Sequence, residues 1–255
     1  MTGAAGFPME VPARTDHGTQ SVPQRLLWHA YAAVYDGLLG LVEYRRLIER
    51  VTDAAEVEPG ASVVEVGCGT GNVLASLARR GPVDVLGIDS SPAMLARARG
   101  KLRSPQVRLV QGDLVAELSK LPSHSVHRLV AVNVLYALPD RSAFWRQAAR
   151  VVTPGGAVIA TQCDRPGFLP LLREQLAAYG WRGLLRPKLV AVAAFDCVID
   201  AFARNRRFSF CGYDAIAQEA RDGGLAAEYL GRCYGGPEDG VNILVRLRHR
   251  EGVPR

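Results

Sequence analysis

A short β-branched run, Ser62-Val63-Val64-Glu65-Val66, stops at a glycine turn, Gly67-Cys68-Gly69-Thr70-Gly71, and apolar residues then recur at helical spacing over Val73–Arg80. Glycines let the backbone turn sharply and let a ligand approach it closely. The N-terminus of a helix adds free N–H groups and the positive end of a dipole. A strand handing over to a helix in this way starts an α/β unit, and the rest of the chain repeats it. Strands are predicted at Val83–Ile88, Val107–Val110, Val126–Val132 and Ala157–Thr161. Helices are predicted between them at Pro92–Leu102, near Leu114–Leu121 and at Ser142–Val151. This alternation predicts a doubly wound α/β fold, with a mostly parallel sheet covered by helices on both faces. Right-handed crossovers bring the C-terminal ends of the parallel strands to one edge, where ligands bind.

Three segments flank or interrupt the alternation. Residues 1–21 are rich in Gly, Ala, Pro and Thr without periodicity and read as a disordered arm, so the folded domain is expected over 22–255. Two helices broken at Gly37 and Gly40 are predicted between Pro23 and Thr52, from Leu26, Leu27, Ala30 and Val34 and then Leu38, Leu41, Val42, Leu47, Ile48 and Val51. The stretch 164–207 reads as a helical lid inserted after strand five, with helices at Leu169–Tyr179, Leu184–Ala194 and Phe195–Asn205. It carries Phe168, Tyr179, Trp181 and Phe195. A helix at Asp214–Gly223 and a hairpin of two strands, Ala226–Leu230 and Val241–Leu247, bring the sheet to seven strands.

Hydrophobic residues make up 48% and charged residues 22% of the 255, which excludes collagen-like and wholly disordered chains. The apolar run near Leu129–Leu138 includes Asn133 and falls short of the about 18 residues a bilayer requires. With no apolar signal core at the N-terminus, a cytoplasmic protein without stable membrane insertion is expected. Five scattered cysteines form no metal-ligand spacing, so neither structural zinc nor a disulfide framework is expected. The net charge is +6, and only three of the 31 basic residues are lysine: Lys101, Lys120 and Lys188. That charge suits an anionic substrate, a membrane surface or a solvated basic face.

The glycine turn narrows the ligand. In the dinucleotide fingerprint G-x-G-x-x-G the third glycine would fall at position 72, which is Asn72. A P-loop would need a lysine that the turn lacks. G-x-G-x-G preceded by Glu65 resembles motif I of the class I S-adenosylmethionine-dependent methyltransferases. Further matches come in order: Gly87-Ile88-Asp89, Ser91-Pro92-Ala93-Met94-Leu95, Gly112-Asp113, Asn133, Val152-Thr153-Pro154-Gly155-Gly156 and the final antiparallel pair. The resemblance runs from about Tyr31 to Leu247 and implies a Rossmann-like methyltransferase fold.

It also implies roles. Glu65, Gly67, Gly69 and Gly71 would hold the methionine moiety of S-adenosyl-L-methionine, and Asp89 its ribose hydroxyls. Ser90, Met94, Asp113 and Leu114 would hold the adenine. Asn133, grouped with the cofactor residues, would also face the substrate. The element Tyr31-Ala32-Ala33-Val34-Tyr35-Asp36 resembles one that precedes motif I in quinone and phospholipid methyltransferases, which implies that Tyr35 reaches the methionine end. As a plain structural feature, Tyr31 and Tyr35 would be a packing pair on one helix face.

Asn133 and Tyr136 have the spacing of the N-P-P-Y element of nucleic-acid and protein amide methyltransferases, but Val134 and Leu135 replace the prolines. Methylation of nucleic acid is therefore not expected. No metal is expected either. No general base is fixed; the candidates are Tyr136 and His29, while His124 and His127 precede strand four on the far edge. The expected reaction is in-line transfer of a methyl group to an O, N or C nucleophile of a small, hydrophobic or aromatic metabolite, by a monomer or homodimer. The alternatives are a phospholipid N-methyltransferase acting on ethanolamine headgroups, suggested also by Arg204-Asn205-Arg206-Arg207, and a cyclase of the same fold that repurposes the cofactor.

Overall fold

Four of the five residues of strand β1 (Ser62–Val66) are buried, so this strand is covered on both faces. The computed structural model describes residues 22–81, 83–165, 169–184, 192, 194, 209–235 and 240–250. Val63 packs in one apolar layer with Leu47, Val51 and Leu74. Val64 and Val66 pack in the other with Leu118, Phe144 and Trp145. The helices behind these layers are α2 (Val42–Ala55) and α3 (Asn72–Ala78) on one side, and α5 (Leu114–Ser119) and α6 (Arg141–Val151) on the other.

The remaining strands are β2 (Asp84–Asp89), β3 (Val107–Gln111), β4 (Val126–Val132), β5 (Val152–Cys163), β6 (Leu225–Cys233) and β7 (Asn242–His249). They form one seven-stranded sheet in the order β3-β2-β1-β4-β5-β7-β6. β1 to β5 run parallel, and β7 is antiparallel to both of its neighbours. The chain winds outward from β1 to β3 and then returns to place β4 on the other side of β1. Such a reversal opens a crevice beyond the carboxyl ends of β1 and β4. The glycine turn and Asn133 stand at those two ends.

The remaining helices are α1 (Val22–Tyr31), α4 (Pro92–Lys101), α7 (Leu169–Tyr179) and α8 (Tyr213–Asp222). Gly37 and Gly40 lie in a 3-10 turn, Tyr35–Gly40, that separates α1 from α2. β5 begins five residues before the predicted strand, because Val152 already pairs with Val126 before the register shifts to Arg128 and Ala157. Two arginines close α2: Arg246 donates to Ala54 O at 3.0 Å, and Arg128 donates to Ala55 O and, at 3.1 Å, to Glu56 O. Cationic donors here satisfy carbonyls that the helix itself leaves open. At the other end of α2, where no cap from a neighbouring residue exists, Gln175 Oε1 of α7 accepts from the Val42 N–H at 3.3 Å.

The predicted arm at 1–21, most of 164–207 including Phe168, Phe195 and Arg204–Arg207, and the hairpin tip 236–239 lie outside the described residues. Of the lid, α7 and a 3-10 turn at Trp181–Leu184 are described. No described helix is long and apolar enough to cross a membrane.

Candidate cofactor and acceptor site

Gly67, Gly69 and Gly71 all have positive φ, at 66°, 53° and 78°. A Cβ at Gly67 would come within 2.6 Å of Val134 Cγ2, and one at Gly71 within 2.7 Å of Leu102 Cδ1. Both positions therefore require glycine on two counts, backbone conformation and space. Beneath the turn, Cys68 is 5% exposed, and its Sγ would stand 3.0 Å from a Cβ at Gly87. Burial pushes this thiol well up, so it serves as a small core residue.

Two carboxylates meet the turn. Asp89 ends β2; its Oδ2 accepts from the Gly69 N–H and its Oδ1 from the Ser91 N–H, both at 2.8 Å. Burial raises its pKa, and those two backbone donors partly offset the rise. Each oxygen keeps a lone pair for a further donor. Glu65 is 2% exposed, and its buried Oε2 has no hydrogen-bond partner among the described residues. Burial raises its pKa strongly, a bond from the Leu74 backbone lowers it, and the charge of Asp89 raises it again. Among the described residues neither acid has an ion-pair partner, and buried carboxylates are stabilised by a positive charge. The pair fits S-adenosylmethionine, which carries a sulfonium and an ammonium for the carboxylates and ribose hydroxyls as donors.

Tyr35 lies over the turn, its ring edge 3.7 Å from where a Gly69 Cβ would stand. It packs edge-on against Tyr31 at 5.2 Å and Tyr44 at 6.3 Å. Tyr31 and Tyr35 are thus a packing pair, although α1 ends at Tyr31 and no single helix carries both. Burial raises the Tyr35 phenol well above its ordinary value, and burial pushes Tyr44 up to about 12. Asn72 uses the room a glycine would have left: its Nδ2 donates to Tyr44 OH at 3.4 Å and its Oδ1 accepts from Lys101 Nζ at 2.6 Å.

On the predicted adenine side, Ser91 caps α4, its Oγ accepting from Met94 N–H at 3.4 Å, and Ser90 precedes it half-buried. Met94 is 3% exposed and packs with Tyr31 and Ala32. Asp113 caps α5, with Oδ1 accepting from Val115 N–H at 3.1 Å and Ala116 N–H at 3.0 Å, and Leu114 is buried behind it. Asp113 thus serves as a helix cap through one of its two oxygens.

Asn133 follows β4 at φ 51°, a conformation that asparagine tolerates. Its Oδ1 accepts from Asn242 Nδ2 at 2.5 Å and from Thr161 Oγ1 at 3.2 Å, while its Nδ2 donates to Tyr234 OH at 3.3 Å. Asn242 is fully buried, and its own Oδ1 has no hydrogen-bond partner among the described residues. Tyr136, three residues beyond Asn133, stacks on Phe210 at 5.0 Å. His29 is exposed on α1. His127 lies inside β4 rather than before it, and its Nδ1 meets Ser62 at the start of β1, while His124 Nδ1 meets Val152 O; both lie at the opposite edge of the sheet from the glycine turn.

Tyr44, Lys101, Tyr234 and Asn242 bond to Asn72 or Asn133 beside the predicted site, and sequence reasoning misses them. Tyr44 sits at core spacing on α2, and the other three carry no local motif; long-range pairing alone brings them to the site.

A family profile described as "Methyltransferase domain" matches residues 63–156. The chain is 39% identical over 190 residues to a trans-aconitate 2-methyltransferase of Azoarcus sp. (strain BH72), covering 73% of this chain and 71% of that one. It is 30% identical over 156 residues to a demethylmenaquinone methyltransferase of Tropheryma whipplei (strain Twist), covering 59% and 63%. A phosphoethanolamine N-methyltransferase 2 of Haemonchus contortus, solved with S-adenosyl-L-methionine, superposes with a TM-score of 0.56 at 15% identity, covering 84% of this chain and 47% of that one.

Proposed function

The chain belongs to the class I S-adenosylmethionine-dependent methyltransferases, and we propose that it methylates an oxygen, nitrogen or carbon nucleophile of a small, hydrophobic or aromatic metabolite. The observation that carries this reading is the pairing, across one crevice, of the glycine turn bound by Asp89 with the neutral polar group of Asn133, Tyr234 and Asn242. S-adenosylmethionine, when bound, supplies an electrophilic methyl group on a sulfonium leaving group.

The residues divide the work by position. Glu65, the Gly67–Gly71 backbone and Tyr35 hold the methionine end, and the raised pKa of Glu65 falls back as the bound cation stabilises its charged form. Asp89 accepts from the ribose hydroxyls through the lone pairs that Gly69 and Ser91 leave free. Ser90, Met94, Asp113 and Leu114 enclose the adenine. Asn133 closes the crevice between cofactor and acceptor, orienting the nucleophile through its amide. Alignment and exclusion of water supply about 7–11 kcal/mol in well-oriented reactions, so a strong base is required only where the nucleophile carries a proton that leaves early. Tyr136, three residues beyond Asn133, is then the first candidate and His29 the second.

The test is transfer of a labelled methyl group from S-adenosylmethionine to a panel of demethylated quinols, phenols, trans-aconitate and ethanolamine phospholipid. Labelling of a hydrophobic or aromatic member supports the proposal; no transfer to any member, with binding of the cofactor intact, overturns it. A second reading, methylation of ethanolamine headgroups, draws on the exposed Leu176, Tyr179 and Trp181 of α7 and the turn after it, with Arg182 over the Trp181 ring at 5.6 Å. Sedimentation with anionic liposomes separates the two: a protein that stays in solution at physiological salt loses the lipid reading.

A further inference from the structure

Lys101 is the last residue of α4, and its side chain is 28% exposed. Its ammonium donates to Asp36 Oδ1 at 2.6 Å, to Thr70 Oγ1 at 2.9 Å and to Asn72 Oδ1 at 2.6 Å. Thr70 in turn donates to Asp36 Oδ1 at 2.6 Å. An ammonium has three protons, and all three are committed here. Lys101 therefore cannot also bind the cofactor's carboxylate without giving up one of these partners. What it does is fasten three pieces together: the 3-10 turn through Asp36, the glycine turn through the fully buried Thr70, and the start of α3 through Asn72. Asp36 directly follows Tyr35, whose ring covers Gly69. Asn72 holds the other side of the same arrangement by donating to Tyr44 OH.

We propose that Lys101 is a positioning residue for cofactor capture, tying the segment that carries Tyr35 to the glycine turn so that both walls of the methionine pocket stand ready before ligand arrives. This rests on the methyltransferase reading. It goes beyond it in assigning a role to a residue whose three ammonium protons are all taken by protein partners. The ordering cost of the loop is met in the free protein, so binding does not have to supply it. Lys101 then acts on affinity through Tyr35, and the two residues do not contribute independently.

Calorimetric titration of the full chain with S-adenosylhomocysteine tests this in K101M, Y35A and the double variant. Each single change is expected to raise Kd about tenfold or more, and the double variant to stay within about threefold of the weaker single one. K101R, which keeps the charge, is expected to stay within about threefold of wild type. A K101M Kd within about twofold of wild type, or single effects that multiply in the double variant, overturns the proposal. D36N, which removes the charged partner, is the second variant should K101M not fold, and it is held to the same limits. Amide hydrogen exchange of the ligand-free K101M protein gives a readout independent of the cofactor: faster exchange at Gly69–Val73 with β5 and β7 unchanged is expected, and an unchanged turn overturns the role. A wild-type protein that binds neither S-adenosylmethionine nor S-adenosylhomocysteine overturns the methyltransferase reading instead, and the exchange data then judge Lys101 alone.

Discussion

Asp89 accepts the backbone N–H of Gly69 at 2.8 Å, so the side chain assigned to the ribose also pins the turn assigned to the methionine. Asp89→Ala removes both functions at once. It also strands two backbone donors, Gly69 and Ser91, at about 1–3 kcal/mol each where they stay buried. Calorimetry is expected to show no binding of S-adenosylhomocysteine, while circular dichroism keeps its α/β shape and the melting temperature drops by several degrees. Retained affinity refutes the assignment.

The two acids of the site make binding pH-dependent. Burial raises the pKa of both Asp89 and Glu65 above their ordinary values. Between the ordinary and the raised values the folded chain holds protons that the unfolded chain has lost. Stability of the free protein therefore falls as pH rises through that window. A cationic ligand favours the ionised acids, so S-adenosylmethionine binding releases protons and weakens as pH falls into the same window. Titrations in two buffers of different ionisation enthalpy measure the release directly. The demethylated product, which lacks the sulfonium, is expected to release fewer protons, and equal release by both compounds counts against the pairing.

Asp36 behaves oppositely. Burial raises its pKa, but hydrogen bonds from Lys101 and Thr70 outweigh this and leave it below the ordinary value. Its contribution is full above the unfolded carboxylate range and is lost as pH falls through the lowered folded value. In D36N this acid-side loss disappears, which urea unfolding at a series of pH values detects.

Gly67→Ala introduces a positive-φ strain of about 1–3 kcal/mol and a contact at 2.6 Å with Val134. Pairing it with Val134→Ala removes the Cγ2 contact but leaves Val134 Cβ at 2.9 Å and the backbone strain in place. Urea denaturation is expected to return part of the loss in the double variant, and full recovery would show that φ contributes nothing.

Tyr234→Phe removes the hydroxyl that receives Asn133 Nδ2. If Asn133 orients the acceptor as proposed, an unpaired amide donor loosens that orientation, and kcat/KM is expected to fall about tenfold with cofactor affinity unchanged within about twofold. Loss of S-adenosylhomocysteine affinity instead would move Asn133 wholly to the cofactor side.

The parts of the site that are legible in the sequence are those fixed locally. Gly67 and Gly71 announce a turn that no side chain can enter, and Asp113 and Ser91 each bond backbone within three residues. The parallel core of the sheet is legible from alternation and handedness. Lys101 and Asn242 carry no signal because their partners lie far along the chain, 29 residues away for Asn72 and 109 for Asn133. Met94 has the family spacing, yet its burial against Tyr31 depends on how α1 crosses α4, which no local pattern encodes. The early start of β5 at Val152 is hidden by Pro154, Gly155 and Gly156, which read as a turn while the chain already pairs with β4.

Gln175 of α7 holds the first turn of α2, and two residues further along that helix Tyr44 receives Asn72 beside the glycine turn. The first turn of α2 thus touches both the helix beyond β5 and the place where the first strand ends. Were an occupant of α7 to change cofactor affinity by some factor, the cofactor would change the affinity for that occupant by the same factor.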